Sequence, residues 1–345
     1  MRIIAATLAL IVLPPFALAH HSTFSTFNGE VIDELDGEIT QVVWRNPHVR
    51  FTIRVGGNEG SGELWDIETT SLSSLRQLDL TNVVLAVGER IIVAGNPSRA
   101  GSNDMWATNL LLEDQREIVL GAESEPRWSD QALGKSGSEY ATEGDASEPE
   151  RGIYRVWSST AATPMLLPET VDETFDLETY PLTDSAREVI AAHNPQTDNP
   201  TANCTPKGMP TIMEQPYPME IAQQGENILL RTEEYDLVRT IHMNSESVEV
   251  QTVATPLGYS VGRMEAGTLV VTTSHINWGH FDQAGIPLSE AAEIVEYFTP
   301  AEDGSRMDYR MIVTDPSTFI EPVELQKHWL YVPGVTVQPY ECLVG

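Results

Sequence analysis

Between positions 49 and 55 the chain alternates apolar with polar residues: Val49, Phe51, Ile53 and Val55 on one side, Arg50, Thr52 and Arg54 on the other. A period of two is what a strand requires when one face is buried and the other is wet. Short β-rich runs recur along the sequence. A single strand cannot bury itself, so such runs must assemble into sheets or barrels.

The runs 37–44, 49–55, 64–69, 88–95 and 105–112 read as five strands. Ser71 is placed to cap a short helix carrying Leu72, Leu75 and Leu78 between the third and fourth. Three strands, a helix and two strands is the order of an OB-type barrel. In 121–150 Ser, Gly, Glu, Asp and Ala dominate without an apolar period, which predicts an acidic flexible linker. Beyond it, strands are expected at 152–157, 227–233, 237–243, 247–253, 267–274, 292–298, 307–313 and 323–331, with a helix starting at Thr183 and ended by Asn194-Pro195. That succession predicts an antiparallel meander, either a closed barrel or a strongly curved sheet. The expected fold is mainly β: an OB-like small barrel over 20–120 and a larger antiparallel β-rich domain over 151–345, with one or two short helices.

Residues 1–19 carry Arg2, an apolar run and Ala17-Leu18-Ala19, the pattern of a cleaved secretory signal. The run is too short for a membrane anchor, so a periplasmic or secreted chain without membrane insertion is expected. The formal net charge of −31 repels phosphate backbones, which argues against nucleic acid as a partner. Cys204 and Cys342 are the two cysteines, and in an oxidising compartment a disulfide between them is expected. Closing so long a loop is worth roughly 5 kcal/mol at the upper end.

His20-His21-Ser22, Trp44-Arg45-Asn46-Pro47-His48 and Trp65-Asp66-Ile67-Glu68 resemble a family of small exported bacterial proteins of unknown function, over about the first hundred mature residues. The second half is similar to another uncharacterised exported bacterial domain, through 204–210, Tyr217-Pro218-Met219, Ser260-Val261-Gly262-Arg263, 267–271 and Tyr340-Glu341-Cys342. Met264 stands where that family often has Trp. Both resemblances imply export and domain boundaries; neither implies an activity.

Cleavage after Ala19 would make His20 the first residue, offering an amine and an imidazole together. With His21, His48 and a carboxylate from Glu68, this makes a nitrogen-rich candidate site for copper or zinc. Asp66 and Glu68 are expected on one face of the third strand. The alternative is that His48 caps its turn and Glu68 is a solvated strand residue.

Gly258-Tyr259-Ser260-Val261-Gly262 matches the nucleophile-elbow pattern, with His275, His280 and Asp282 downstream. The elbow needs a helix after the serine, whereas an apolar strand follows, so a hairpin is expected. His275, Trp278, His280 and Asp282 lie in one loop after that strand, a candidate lining for a pocket taking a small apolar ligand; the alternative is a loop that closes the barrel end. The sequence favours a non-enzymatic binding protein. An enzyme or ligand-binding barrel in the second domain, and a structural or protein-interaction module, are the alternatives.

Overall fold

The computed structural model describes residues 26–57, 61–78, 80, 85–120, 124–130, 132–134, 141–160, 166–168, 177–194, 198, 200–201, 204–243 and 253–342. His20, His21 and most of the expected 247–253 strand lie outside the described residues.

The small barrel is built from β1 (Asp33–Val43), β2 (Arg50–Val55), β3 (Glu63–Glu68), β4 (Arg90–Pro97) and β5 (Asp104–Leu112), in the order β3-β2-β1-β4-β5. β1 pairs with β4 through its first half and with β2 through its second, with a register shift at Ile39/Gln41 where the strand bends. A parallel pairing of β3 with β5 closes the ring. The alternation places Phe51, Ile53 and Val49 inward with Ile39, Ile67 and Val93. Burying each such side chain contributes roughly 1.5–3 kcal/mol. Helix α1 (Leu72–Gln77) sits between β3 and β4; the Ser71 hydroxyl caps it, accepting from the Ser74 amide, and Leu75 and Leu78 are buried in the barrel core.

The large barrel is a ring of nine strands: β8 (Val156–Ser159), β10 (Met219–Gln224), β11 (Asn227–Thr232), β12 (Val238–His242), β13 (Tyr259–Glu265), β14 (Thr268–Ser274), β15 (Glu293–Pro300), β16 (Arg306–Thr314) and β17 (Val323–Leu330). β17 pairs with both β16 and β8, so the ring is closed rather than a curved sheet. The short β9 (Leu167–Pro168) pairs with β17 at Leu325 and Gln326, along the same edge that meets β8 at Trp329 and Leu330. Each barrel has an odd number of strands. A closed ring with an odd count cannot alternate direction all the way round, so at least one parallel pair is a geometric necessity. In the small barrel it is β3–β5, and in the large barrel β12–β13, which qualifies the expected antiparallel meander. Trp157, Trp329, Tyr309 and Phe298 fill the large interior. Helix α2 (Asp184–Ala192) is capped by the Thr183 hydroxyl, which accepts from the Ala186 amide.

Much of the stretch expected as a flexible linker makes defined contacts. Just before it, β6 (Glu117–Val119) folds back antiparallel on β5, and within it β7 (Ala132–Leu133) pairs with β6. The buried Glu117 carboxylate accepts from the amides of Arg127, Trp128 and Ser129 at 2.6–2.8 Å. Further on, the Asp145 amide donates to the Tyr331 carbonyl at 2.8 Å and the Tyr331 hydroxyl to Glu148 at 2.6 Å. Among the described residues, 127–129 and 132–133 are therefore tied to the small barrel, and Asp145 and Glu148 to the large one. Hydrogen bonds from amides to a carboxylate are roughly twice as strong as neutral ones, so they hold irregular chain in place.

The expected disulfide Cys204–Cys342 is present, with a Cα–Cα distance of 5.9 Å. No helix among the described residues is long and apolar enough to cross a membrane.

Candidate functional site

The turn between β1 and β2 carries Asn46, Pro47 and His48, with a cis peptide between Asn46 and Pro47. Its two polar side chains face different partners. Asn46 is fully buried. Its amide nitrogen donates to the Tyr340 carbonyl at 2.6 Å, and its amide oxygen accepts from the Leu72 amide at 3.1 Å. His48 is at the surface of the small barrel, where its Nδ1 makes a short hydrogen bond to Glu68 Oε1. Arg50 Nη2 reaches the same oxygen at 3.2 Å. Glu68 is only 7% exposed, so it is a buried partner of His48 rather than a solvated strand residue. Asp66 is exposed, and accepts from the Thr52 hydroxyl at 2.8 Å.

A neutral imidazole facing a carboxylate through Nδ1 carries its proton there and leaves the Nε2 lone pair available. Carboxylates orient metal-binding histidines in this way. No other described residue bonds His48 through Nε2. The edge of the His48 ring stands on Trp106, with centroids 5.1 Å apart at 79°. Phe27 packs on the same indole at 6.0 Å. The Phe27 segment is pinned by a bridge to Ser98 and by Arg99, whose Nε donates to the Phe27 carbonyl at 3.0 Å. Gly95 lets the backbones close here, since a Cβ there would lie 2.2 Å from the Trp106 carbonyl oxygen. Among the described residues no three of His, Cys, Asp and Glu are grouped to hold a metal ion.

Ser260 lies within β13, which turns directly into β14. It is 2% exposed. Its hydroxyl accepts from Arg239 Nε at 2.8 Å and is 3.0 Å from the Thr273 hydroxyl. Arg239 in turn is paired with Glu296, which also accepts from the Tyr309 hydroxyl at 2.8 Å. Ser260 is thus one member of an interior structural network, and the hairpin expectation holds. Gly258 takes a positive φ of 69° at the entry to β13, with the Ser274 carbonyl 2.7 Å from where a Cβ would sit.

The loop carrying His275, Trp278, His280 and Asp282 is tied across the barrel end. Trp278 is buried and its indole nitrogen donates to the Thr211 hydroxyl at 2.8 Å, while that hydroxyl donates to the His280 carbonyl at 3.1 Å. Asp282 Oδ1 accepts from the Ala284 and Ile286 amides, each at 3.0 Å. His275 turns aside, with Nδ1 2.9 Å from the Ser274 hydroxyl. Burial holds the His280 imidazole below the ordinary histidine range, with His193 adding to it.

Sequence reasoning missed a second group of charges at this end. Lys207 is buried against Glu234 at 2.8 and 3.0 Å. The ammonium of buried Lys327 lies 3.4 Å from the carbonyls of Met213 and Gln215. Burial, then the charge of Asp282, pushes the Glu214 carboxyl up to about 8. Burial pushes the Lys327 ammonium down to about 7 and the Asp282 carboxyl up to about 6. The signal was in the alternation itself: Val323, Leu325, Lys327 and Trp329 share the inward side of β17.

Residues 9–106 match a family of unknown function (DUF6152). No curated protein matches the chain. Among solved structures, the mitochondrial single-stranded DNA-binding protein Rim1 of S. cerevisiae is similar at 10% identity, over 24% of this chain and 93% of that chain, with a TM-score of 0.20.

Proposed function

We propose that this chain is an exported, non-enzymatic metal-binding protein that takes copper or zinc with His48 as its oriented ligand and His20 and His21 as further nitrogen donors. The observation that carries the reading is the ring contact Phe27–Trp106–His48. Phe27 places the chain upstream of β1 beside the candidate ligand. Six residue steps separate His21 from Phe27, a span of roughly 20 Å at full extension, so the upstream histidines are within reach of His48. The Nδ1 bond to Glu68 supplies the outer-shell partner expected of a ligating histidine. A cleaved signal would add a free amine at His20, and imidazole and amine nitrogens suit Cu(II) and Zn(II). Export agrees with the disulfide Cys204–Cys342, since such bonds persist in oxidising compartments.

The test is a copper and zinc titration of protein beginning at His20, beside the same protein with one residue added in front and beside His48→Ala. Tight binding by the authentic terminus, weakened by both changes, supports the reading. Equal binding by all three removes His48 and the amine from it, and absence of binding ends it.

A further inference from the structure

The turn that bears His48 is also part of the seam between the two barrels. Residues 334–342, downstream of β17, form a strap without regular structure that returns to the small barrel. The Gln338 amide donates to Glu233 Oε2 at 3.0 Å and the Tyr340 amide to Asp236 Oδ1 at 3.0 Å. Tyr340 is buried between Tyr217 and Tyr235, with centroids 5.7 and 5.1 Å away. Two residues further on, Cys342 fastens the strap to Cys204. From the other side Ser73 and Arg76 of α1 reach Glu233, which is 1% exposed; Arg76 Nη1 lies 3.0 Å from Oε1.

Asn46 joins these parts. One side chain bonds both the strap, through the Tyr340 carbonyl, and the first residue of α1, through the Leu72 amide. Its donor and its acceptor are both used in a site with no water access, where an unmade bond is costly. The backbone two residues on, which sets where the His48 ring sits over Glu68 and Trp106, is therefore fixed from the second barrel.

We infer that the C-terminal strap is a positioning element for His48: the His48–Glu68 pair takes its oriented form only when Tyr340 holds Asn46 and the disulfide keeps the strap in place. As a statement about metal affinity this rests on the reading of the preceding subsection; as a statement about the imidazole it does not. In chemical terms, a dithiol that reduces Cys204–Cys342 to two thiols, becoming a disulfide itself, would release the strap end and loosen the site.

The experiment compares wild type, Asn46→Asp and the double variant Cys204→Ser/Cys342→Ser, all as full mature chains. Asn46→Asp keeps the acceptor for the Leu72 amide and sets an oxygen against the Tyr340 carbonyl. Nitrogen-15 spectra of the histidine rings at pH 8 report which nitrogen of His48 carries the proton, and copper titration reports affinity. The expected result is a single Nδ1–H tautomer in wild type, averaging of the two tautomers in both variants, and copper affinity lower by roughly ten- to a hundredfold. An unchanged His48 spectrum in the double variant overturns the inference, and so does an unchanged spectrum in folded Asn46→Asp. If wild type binds no copper yet the His48 spectrum responds, the positioning role stands and the metal reading falls. Should Asn46→Asp fail to fold, the double variant decides alone.

Discussion

Inside the nine-stranded barrel Arg239 gives both terminal guanidinium nitrogens to the carboxylate of Glu296, Nη1 at 2.9 Å and Nη2 in a shorter contact. The Tyr309 hydroxyl donates to the same carboxylate, and Arg239 and Glu296 are 3% and 0% exposed, so neither charge has access to water. Removing one partner strands the other. Glu296→Ala should cost about 3–5 kcal/mol, whereas Arg239→Met combined with Glu296→Leu should recover most of that loss. Urea unfolding of the three variants checks this; equal losses in the single and double variants would contradict it.

Ser260 belongs to the same network. Ser260→Ala should leave Arg239 Nε without its acceptor and cost about 1–3 kcal/mol. A serine-directed fluorophosphonate should not label Ser260 in the folded protein. Stoichiometric labelling at Ser260 would revive the enzyme reading.

Glu214 and Lys327 should give stability opposite slopes on the two sides of neutrality. The Glu214 carboxyl is raised from 4.5 to about 8 on folding, so the unfolded chain loses that proton first and stability falls as pH rises from 4.5 to 8. The Lys327 ammonium is lowered from 10.5 to about 7, so the unfolded chain holds that proton longer and stability rises from pH 7 to 10.5. Together they predict a minimum near pH 7–8. Glu214→Gln should flatten the acid side and Lys327→Met the alkaline side, read from thermal midpoints across pH.

Glu117 should anchor the chain that follows it. Burial alone would raise its carboxyl, but the amides of Arg127, Trp128 and Ser129 and the Asn109 side chain hold it below the ordinary 4.5. The stability it contributes is present above that value and is lost as pH falls through the lower folded value. Glu117→Gln should cost about 2 kcal/mol and speed amide exchange at Arg127, Trp128 and Ser129 above all other positions. Uniform acceleration across the small barrel would instead mean a general loss of stability.

Much of the architecture was legible because it is written locally. The inward Val49, Phe51 and Ile53, the Ser71 cap and the strand–helix–strand order of the small barrel follow from periods and caps. So did the hairpin at Ser260, where the run after Gly262 suits a strand. The seam was not legible, because Asn46 and Tyr340 are 294 positions apart and nothing near either residue announces the other. Glu117 was missed because among 51 acidic residues one glutamate has no distinguishing mark until its amide partners are seen. Glu296 could have been found: it sits between Ile294 and Phe298 at strand spacing, and a charge in an inward series requires a partner.

The ring order of the large barrel also governs when it can exist. β17 lies between β8 and β16, so the last strand made is the one that completes the circle. A nascent chain that has emerged only to β16 has an open sheet with two bare edges, and Phe298 and Tyr309 lack the cover of Trp329. Chain synthesis and chain folding are thereby separated in time, and assembly waits on contacts between the two ends of the domain, a slow and non-local step. Until β17 is made, β8 and β16 each keep a bare edge open to non-native strand pairing.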